Sequence, residues 1–269
     1  MEGLKSRAAA LIVCAAVALA GWFGGMSLLQ NQTESLTLQA GGMKPNTVVM
    51  TVAGSDITAE AYLYWVTACC DEFYQYYGIS DFTMALTADM TAADYVKQQA
   101  DYYALQYVAI EQLAGEYGIS LSEEQKAELE AMEEYYMAYY GGEEIYNYMM
   151  LYSGLTEELL SEINEIPYLY ALMCEQFMSE GGMLEPSAEN LQTYAQKHHY
   201  TELSEEELLA QYVHTESGAM YDFVNEYIDR MDVTKHAKYD AIDVAQFYPA
   251  LLEVRMALPV PEITGDMTE

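Results

Sequence analysis

The chain has 269 residues, 52% of them hydrophobic in type and 20% charged, which is long enough for a sizeable core and too apolar for a disordered polyelectrolyte. Its charge is lopsided: 10 basic residues stand against 43 acidic ones, a formal net of -33. Such a field repels phosphate backbones and anionic surfaces and supplies no basic stripe, so nucleic acid is excluded as a main partner.

At the N-terminus Lys5 and Arg7 precede an apolar run from Ala8 to Phe23, continued by Met26, Leu28 and Leu29. A basic stretch followed by an apolar one marks an export signal, and Ala18-Leu19-Ala20 before Gly21 offers a cleavage site. The apolar character continues past that site to about 22 residues, enough to cross a bilayer. The reading taken is therefore an uncleaved signal-anchor over residues 1–29. It makes a single-pass protein of the cell membrane, with Lys5 and Arg7 on the cytoplasmic side and the bulk of the chain outside. Secretion after cleavage is the alternative. Val13 before Cys14 is not the small residue that lipidation requires. Residues 30–46, polar and carrying Gly41 and Gly42, read as a flexible linker.

Residues 47–52 (Thr-Val-Val-Met-Thr-Val) predict a strand, and Ala53-Gly54-Ser55-Asp56 a turn. Thr58 is placed to cap a helix over 59–77 that Gly78 stops. A second helix is expected over 91–117, ended by Gly118. Ser122 and Gln125 form a capping box opening a third helix, which runs to Tyr140 before Gly141-Gly142. Helices over 143–152 and 157–179 follow, the latter containing Pro167, which predicts a kink or a split. A shorter helix is expected over 187–198. Ser204 with Glu207, and Leu203 with Leu208, then supply a capping box and a hydrophobic staple for another. That helix is interrupted near 215–218 and continues to Arg230. Residues 233–244 alternate loosely enough for a second strand, and Pro259, Pro261 and the acidic end read as a tail.

Chemistry-bearing motifs are scarce. Cys14, Cys69, Cys70 and Cys174 lack zinc or redox spacing and read as core thiols, with a bridge from Cys69 or Cys70 to Cys174 left open. His198, His199, His214 and His236 form no HExxH, and no serine-nucleophile, phosphate-loop or calcium-loop pattern occurs. Paired glutamates such as Glu123-Glu124 and Glu143-Glu144 sit at helix starts, where they complement the dipole.

Several segments in order resemble SurA/PrsA-type extracytoplasmic chaperone domains, which begin V-N-G-x-x-I-T-x-x-x-[FY]. Here Val52-Ala53-Gly54 ends a strand, and Ile57-Thr58-Ala59-Glu60 opens a helix bearing Tyr62 and Tyr64. The stretches from Gly118 to Glu124 and from Gly154 to Leu159 resemble the glycine-broken helix links of that family. Met231-Asp232-Val233 and Tyr239-Asp240-Ala241-Ile242-Asp243 resemble its returning C-terminal strand. The resemblance implies a mainly α fold, SurA-N-like (trigger-factor C-terminal-like), with a small strand pair joining the chain's two ends. It makes residues 47–247 one discontinuous domain and 248–269 a tail. Members commonly carry a parvulin prolyl-isomerase insert with an H-I-L-[IV] strand. At the corresponding point this chain has His198-His199-Tyr200-Thr201, then Glu202 and a helix start. About 30 residues remain before the return strand, far below a domain of the usual size. The isomerase domain is expected to be missing.

Tyrosine is the compositional oddity: 26 residues, beside 17 methionines and 6 phenylalanines. Tyr135/Tyr139 and Tyr136/Tyr140 are i,i+4 pairs, so that helix carries rings on two faces, one of which must meet the core. The other resembles an adaptable binding surface in composition. The candidate client-binding residues are Tyr136, Met137, Tyr140, Tyr148 and Met149. No catalytic, cofactor-binding or metal-ligating residue is assigned. The expected function is a membrane-anchored chaperone or foldase-like protein that binds unfolded or extended exported polypeptides without catalysis or cofactor. The alternatives are a PrsA/parvulin-type peptidyl-prolyl isomerase and an anchored interaction protein serving one fixed partner.

Overall fold

The computed structural model describes residues 35–200, 202–215 and 218–260. The signal-anchor reading of residues 1–29 falls outside them, and among the described residues no helix is long and apolar enough to cross a membrane. The described chain is mainly helical with one three-stranded antiparallel sheet of order β2-β1-β3. Its contacts fall into two compact units, each discontinuous in sequence.

The first unit takes the described residues up to Leu105, then Ser122–Asn164, then those from Asp232 on. Strands β1 (Val48–Val52) and β2 (Ser55–Thr58) form a hairpin. Its two turn residues, Ala53 and Gly54, both have positive φ (46° and 88°), the backbone that matches strand twist in two-residue hairpins. The sequence reading ended the strand at this turn and missed β2, whose polar Ser55-Asp56 lacks an apolar alternation. Strand β3 (Val233–Lys235) pairs with the other edge of β1 in the register Met50↔Lys235, Thr51↔Thr234 and Val52↔Val233. The expected joining of the chain's two ends is therefore present, though β3 stops at Lys235 rather than Val244.

Helix α1 (Leu36–Gly41) corrects the expected spacer. Leu36, Thr37 and Leu38 are buried against α2 (Ala59–Tyr77), α5 (Glu143–Ser153) and α11 (Val244–Ala257). Six residues are too few for a periodic signal, and their order comes from tertiary burial rather than propensity. The tail reading is likewise corrected over residues 248–257: α11 places Val244, Phe247, Tyr248, Leu251 and Arg255 in the core. Asp243 caps it, accepting from the Ala245 and Gln246 amides at 3.0 and 3.3 Å. Pro249 lies inside this helix.

Other ends follow the sequence cues. Thr58 Oγ1 accepts from the Ala61 amide at 3.3 Å, and Gly78 closes α2 in the left-handed region. Helix α3 spans Ala92–Glu116, and α4 spans Glu123–Tyr139 with the Ser122/Gln125 box formed. Helix α6 (Glu157–Met178) runs unbroken through Pro167, where a split was one of the expectations.

The second unit comprises Gln106–Leu121 and Glu165–Met231. It holds the ends of α3 and α6, α7 (Ala188–His198), α8 (Glu205–Thr215) and α9 (Gly218–Ile228). Its core includes Leu113, Met173, Phe177, Met178, Met220 and Val224. The Phe177 ring meets Tyr117 edge-on at 4.7 Å and Phe223 at 5.8 Å. Cys69, Cys70 and Cys174 are all buried thiols, not a disulfide.

Candidate functional site

The first unit holds two polar clusters, one buried and one at the edge of its sheet. In one, Asp71 on α2 receives a bidentate pair from Arg255 on α11, at 2.7 and 2.9 Å. Arg255 Nε donates to the Tyr152 carbonyl at 2.9 Å, its guanidinium lies 4.1 Å from the Tyr152 ring, and Tyr248 Oη donates to Asp71 at 2.7 Å. Burial alone would lower the arginine pKa, but its hydrogen bonds and ion pair with Asp71 more than offset that and raise it. Burial and the Asp71 charge push the Tyr248 hydroxyl well above its ordinary range. This is a latch between α2 and α11, with the arginine buried and the aspartate close to it.

In the other, Asp101 on α3 accepts from Tyr62 at 2.6 Å, Tyr239 at 2.7 Å and Lys235 at 2.6 Å. Tyr239, on the short helix α10 (Ala237–Asp240), has the ammonium groups of Lys97 and Lys235 over its ring, 4.1 and 4.3 Å from the centroid. Lys97 is further bound to the carbonyls of Tyr239 and Ile242, at 3.0 and 3.2 Å. A Lys-Tyr-Asp group invites an acid–base reading. Burial and Asp101, however, drive the Tyr62 hydroxyl far upward, away from any nucleophilic form. The carboxylate is saturated by donors that tie β3 and α10 to α2 and α3. Its geometry is that of a clasp.

The tyrosine-rich hairpin offers a different surface. Helix α4 has no buried residue. Gly141 and Gly142, at φ 99° and 111°, turn the chain so that α5 returns on one side. There Tyr146 is buried and its hydroxyl donates to Glu133 at 3.2 Å. Glu133, Tyr136, Met137 and Tyr140 follow the i, i+3, i+4, i+7 spacing of one face, and all four are half-buried. Burial raises the pKa of the Tyr136 and Tyr140 hydroxyls, with smaller contributions from neighbouring tyrosines. Tyr148 and Met149 on α5 are also half-buried. The Tyr148 hydroxyl is raised by burial and by Tyr152 and is partly relieved by Arg255, which puts it beside the latch.

The rings facing water are Tyr135 and Tyr139, 63% and 69% exposed and stacked at 6.1 Å. The candidate set omitted both. The i,i+4 spacing identified two ring pairs on α4 but could not say which one α5 covers; the Glu133–Tyr146 contact decides it. A second exposed aromatic edge, Tyr76 and Tyr77 at 66% and 68%, ends α2.

Among the described residues no group of three or more His, Cys, Asp or Glu is placed to hold a metal ion. Fold and surface together define a mainly helical protein closed by a small antiparallel sheet and bearing an exposed aromatic helix face. No protein-family model, curated protein or solved structure matches the chain.

Proposed function

We propose that this chain is a membrane-anchored, extracytoplasmic holding chaperone of the SurA/PrsA type, which binds extended or partly folded exported polypeptides without catalysis. The observation that carries the reading is the stacked, water-facing pair Tyr135 and Tyr139 on a helix with no buried residue. A binding surface uses the area and stiffness of such rings. Tyr136, Met137, Tyr140, Tyr148 and Met149 lie half-buried on the same hairpin and support the helix that presents the exposed pair. Further support comes from the order of elements that the family resemblance implies: a strand and turn leading into a long helix, and a strand near residue 233 returning to pair with the first.

The test is suppression of aggregation of two unrelated unfolded proteins. The natural protein should suppress both, and Tyr135→Ser/Tyr139→Ser should weaken suppression while thermal unfolding stays unchanged, since exposed changes stay within about 0.5 kcal/mol. No suppression at equimolar protein, or activity loss only in variants that also melt early, would overturn the reading.

A further inference from the structure

The exposed half of α4 has relief as well as rings. At about 100° per residue, Glu130 and Glu134 form one ridge along the axis, and Tyr135 and Tyr139 form another about 140° away around it. Ala127, Ala131 and Ala138 lie between them. All seven residues are exposed. The result is a shallow trough with a carboxylate wall, a methyl floor and an aromatic wall.

We infer that this trough takes an extended segment bearing lysine or arginine at alternate positions; the inference rests on the chaperone reading above and names its preferred client chemistry. The two ring centroids are 6.1 Å apart, close to the roughly 6.6–6.8 Å between alternate side chains of an extended strand. A lysine or arginine stem can lie across an alanine, its cationic head reaching Glu130 or Glu134 and its flank covering a tyrosine face. Charge complementarity selects this occupant. Lys126 is the one base in the helix, and it is engaged by Glu123 at 3.2 Å. Glu143 and Glu144 add exposed carboxylates where the hairpin turns. A second copy of a chain with net charge -33 is repelled from the same face, as is an anionic membrane.

The experiment measures fluorescence anisotropy of the full-length protein with three labelled ten-residue peptides sharing one apolar pattern and carrying lysine, glutamine or glutamate at alternate positions. The lysine peptide should bind about tenfold more tightly than the glutamine one at low salt, from two cation–ring and carboxylate contacts, and this preference should shrink in 0.5 M salt. Glu130→Gln/Glu134→Gln should abolish the preference and keep the glutamine peptide's affinity. Tyr135→Ser/Tyr139→Ser should weaken both peptides. Glu205→Gln/Glu206→Gln, exposed on α8, is the control for general attraction to an acidic protein and should change neither. Equal affinity for the lysine and glutamine peptides, or equal losses from both glutamate pairs, would overturn this inference while leaving the chaperone reading intact. Failure to bind any peptide, together with failure to suppress aggregation, would instead remove the reading itself.

Discussion

Replacing Asp71 with asparagine keeps the shape of the side chain and removes the charge that Arg255 is buried against. The arginine side chain is 2% exposed and the aspartate 15%, so the guanidinium cannot recover its loss by turning to water. Breaking a buried pair from one side costs about 3–5 kcal/mol because the remaining charge stays uncompensated. At about 2–4 °C per kcal/mol for a chain of this size, the expected fall in melting temperature is roughly 6–20 °C. Arg255→Met should cost less, because Asp71 keeps the Tyr248 hydroxyl and its partial exposure. The double variant should lose less than the two single changes added together, and a double-mutant cycle measures that coupling. Urea unfolding followed through Trp65, in a Trp22→Phe background, reports on this unit specifically. An Asp71→Asn variant within about 1 kcal/mol of the parent would refute the buried-latch argument, as would an additive cycle.

Ala53→Asn should stabilise the hairpin, since Ala53 sits at φ 46° and asparagine tolerates the left-handed region better than alanine; chemical denaturation should show a gain of about 0.5–1 kcal/mol. Gly154→Ala should destabilise strongly, because its φ is 75° and an added Cβ would run into the buried Thr37 side chain; a melting temperature within a degree of the parent would contradict that packing. Stability should be flat through neutral pH and fall as pH rises from about 9 towards 12, measured by urea unfolding at each pH. Burial raises the Cys69 thiol and the Tyr64 hydroxyl to about 12, while their unfolded values lie near 8.5 and 10. The unfolded chain therefore loses protons first, and stability present below those values is lost as pH rises through the folded ones.

Helix boundaries were legible wherever a residue acts on the backbone locally. Thr58, Ser122 and Ser204 satisfy orphan amides with their own oxygens, and Gly78 and Gly154 adopt the left-handed closing conformation. What stayed hidden is held by distant partners. Leu36 and Leu38 are ordered by helices far along the chain. Arg255 reads as a tail charge until Asp71, 184 residues earlier, meets it. Helix α11 did carry a readable signal, Val244, Phe247, Tyr248, Leu251 and Arg255 at helical spacing behind Asp243, but Pro249 interrupts it. At the surface, composition pointed to the α4–α5 hairpin, and only the docking of α5 separates Tyr135 and Tyr139 from Tyr136 and Tyr140.

The strand order β2-β1-β3 has a consequence for the newborn chain. Strand β1 is central, yet one of its neighbours is made at once and the other only after residue 233 has been synthesised. At about 5–20 residues per second, the interval is on the order of ten seconds or more. Through that time the far edge of β1, later occupied by Val233–Lys235, offers unpaired amides and carbonyls to any passing strand. Asp71 waits equally long for Arg255. Whatever this protein does for other chains once complete, during its own synthesis it is itself a chain with an open edge and an unpaired carboxylate.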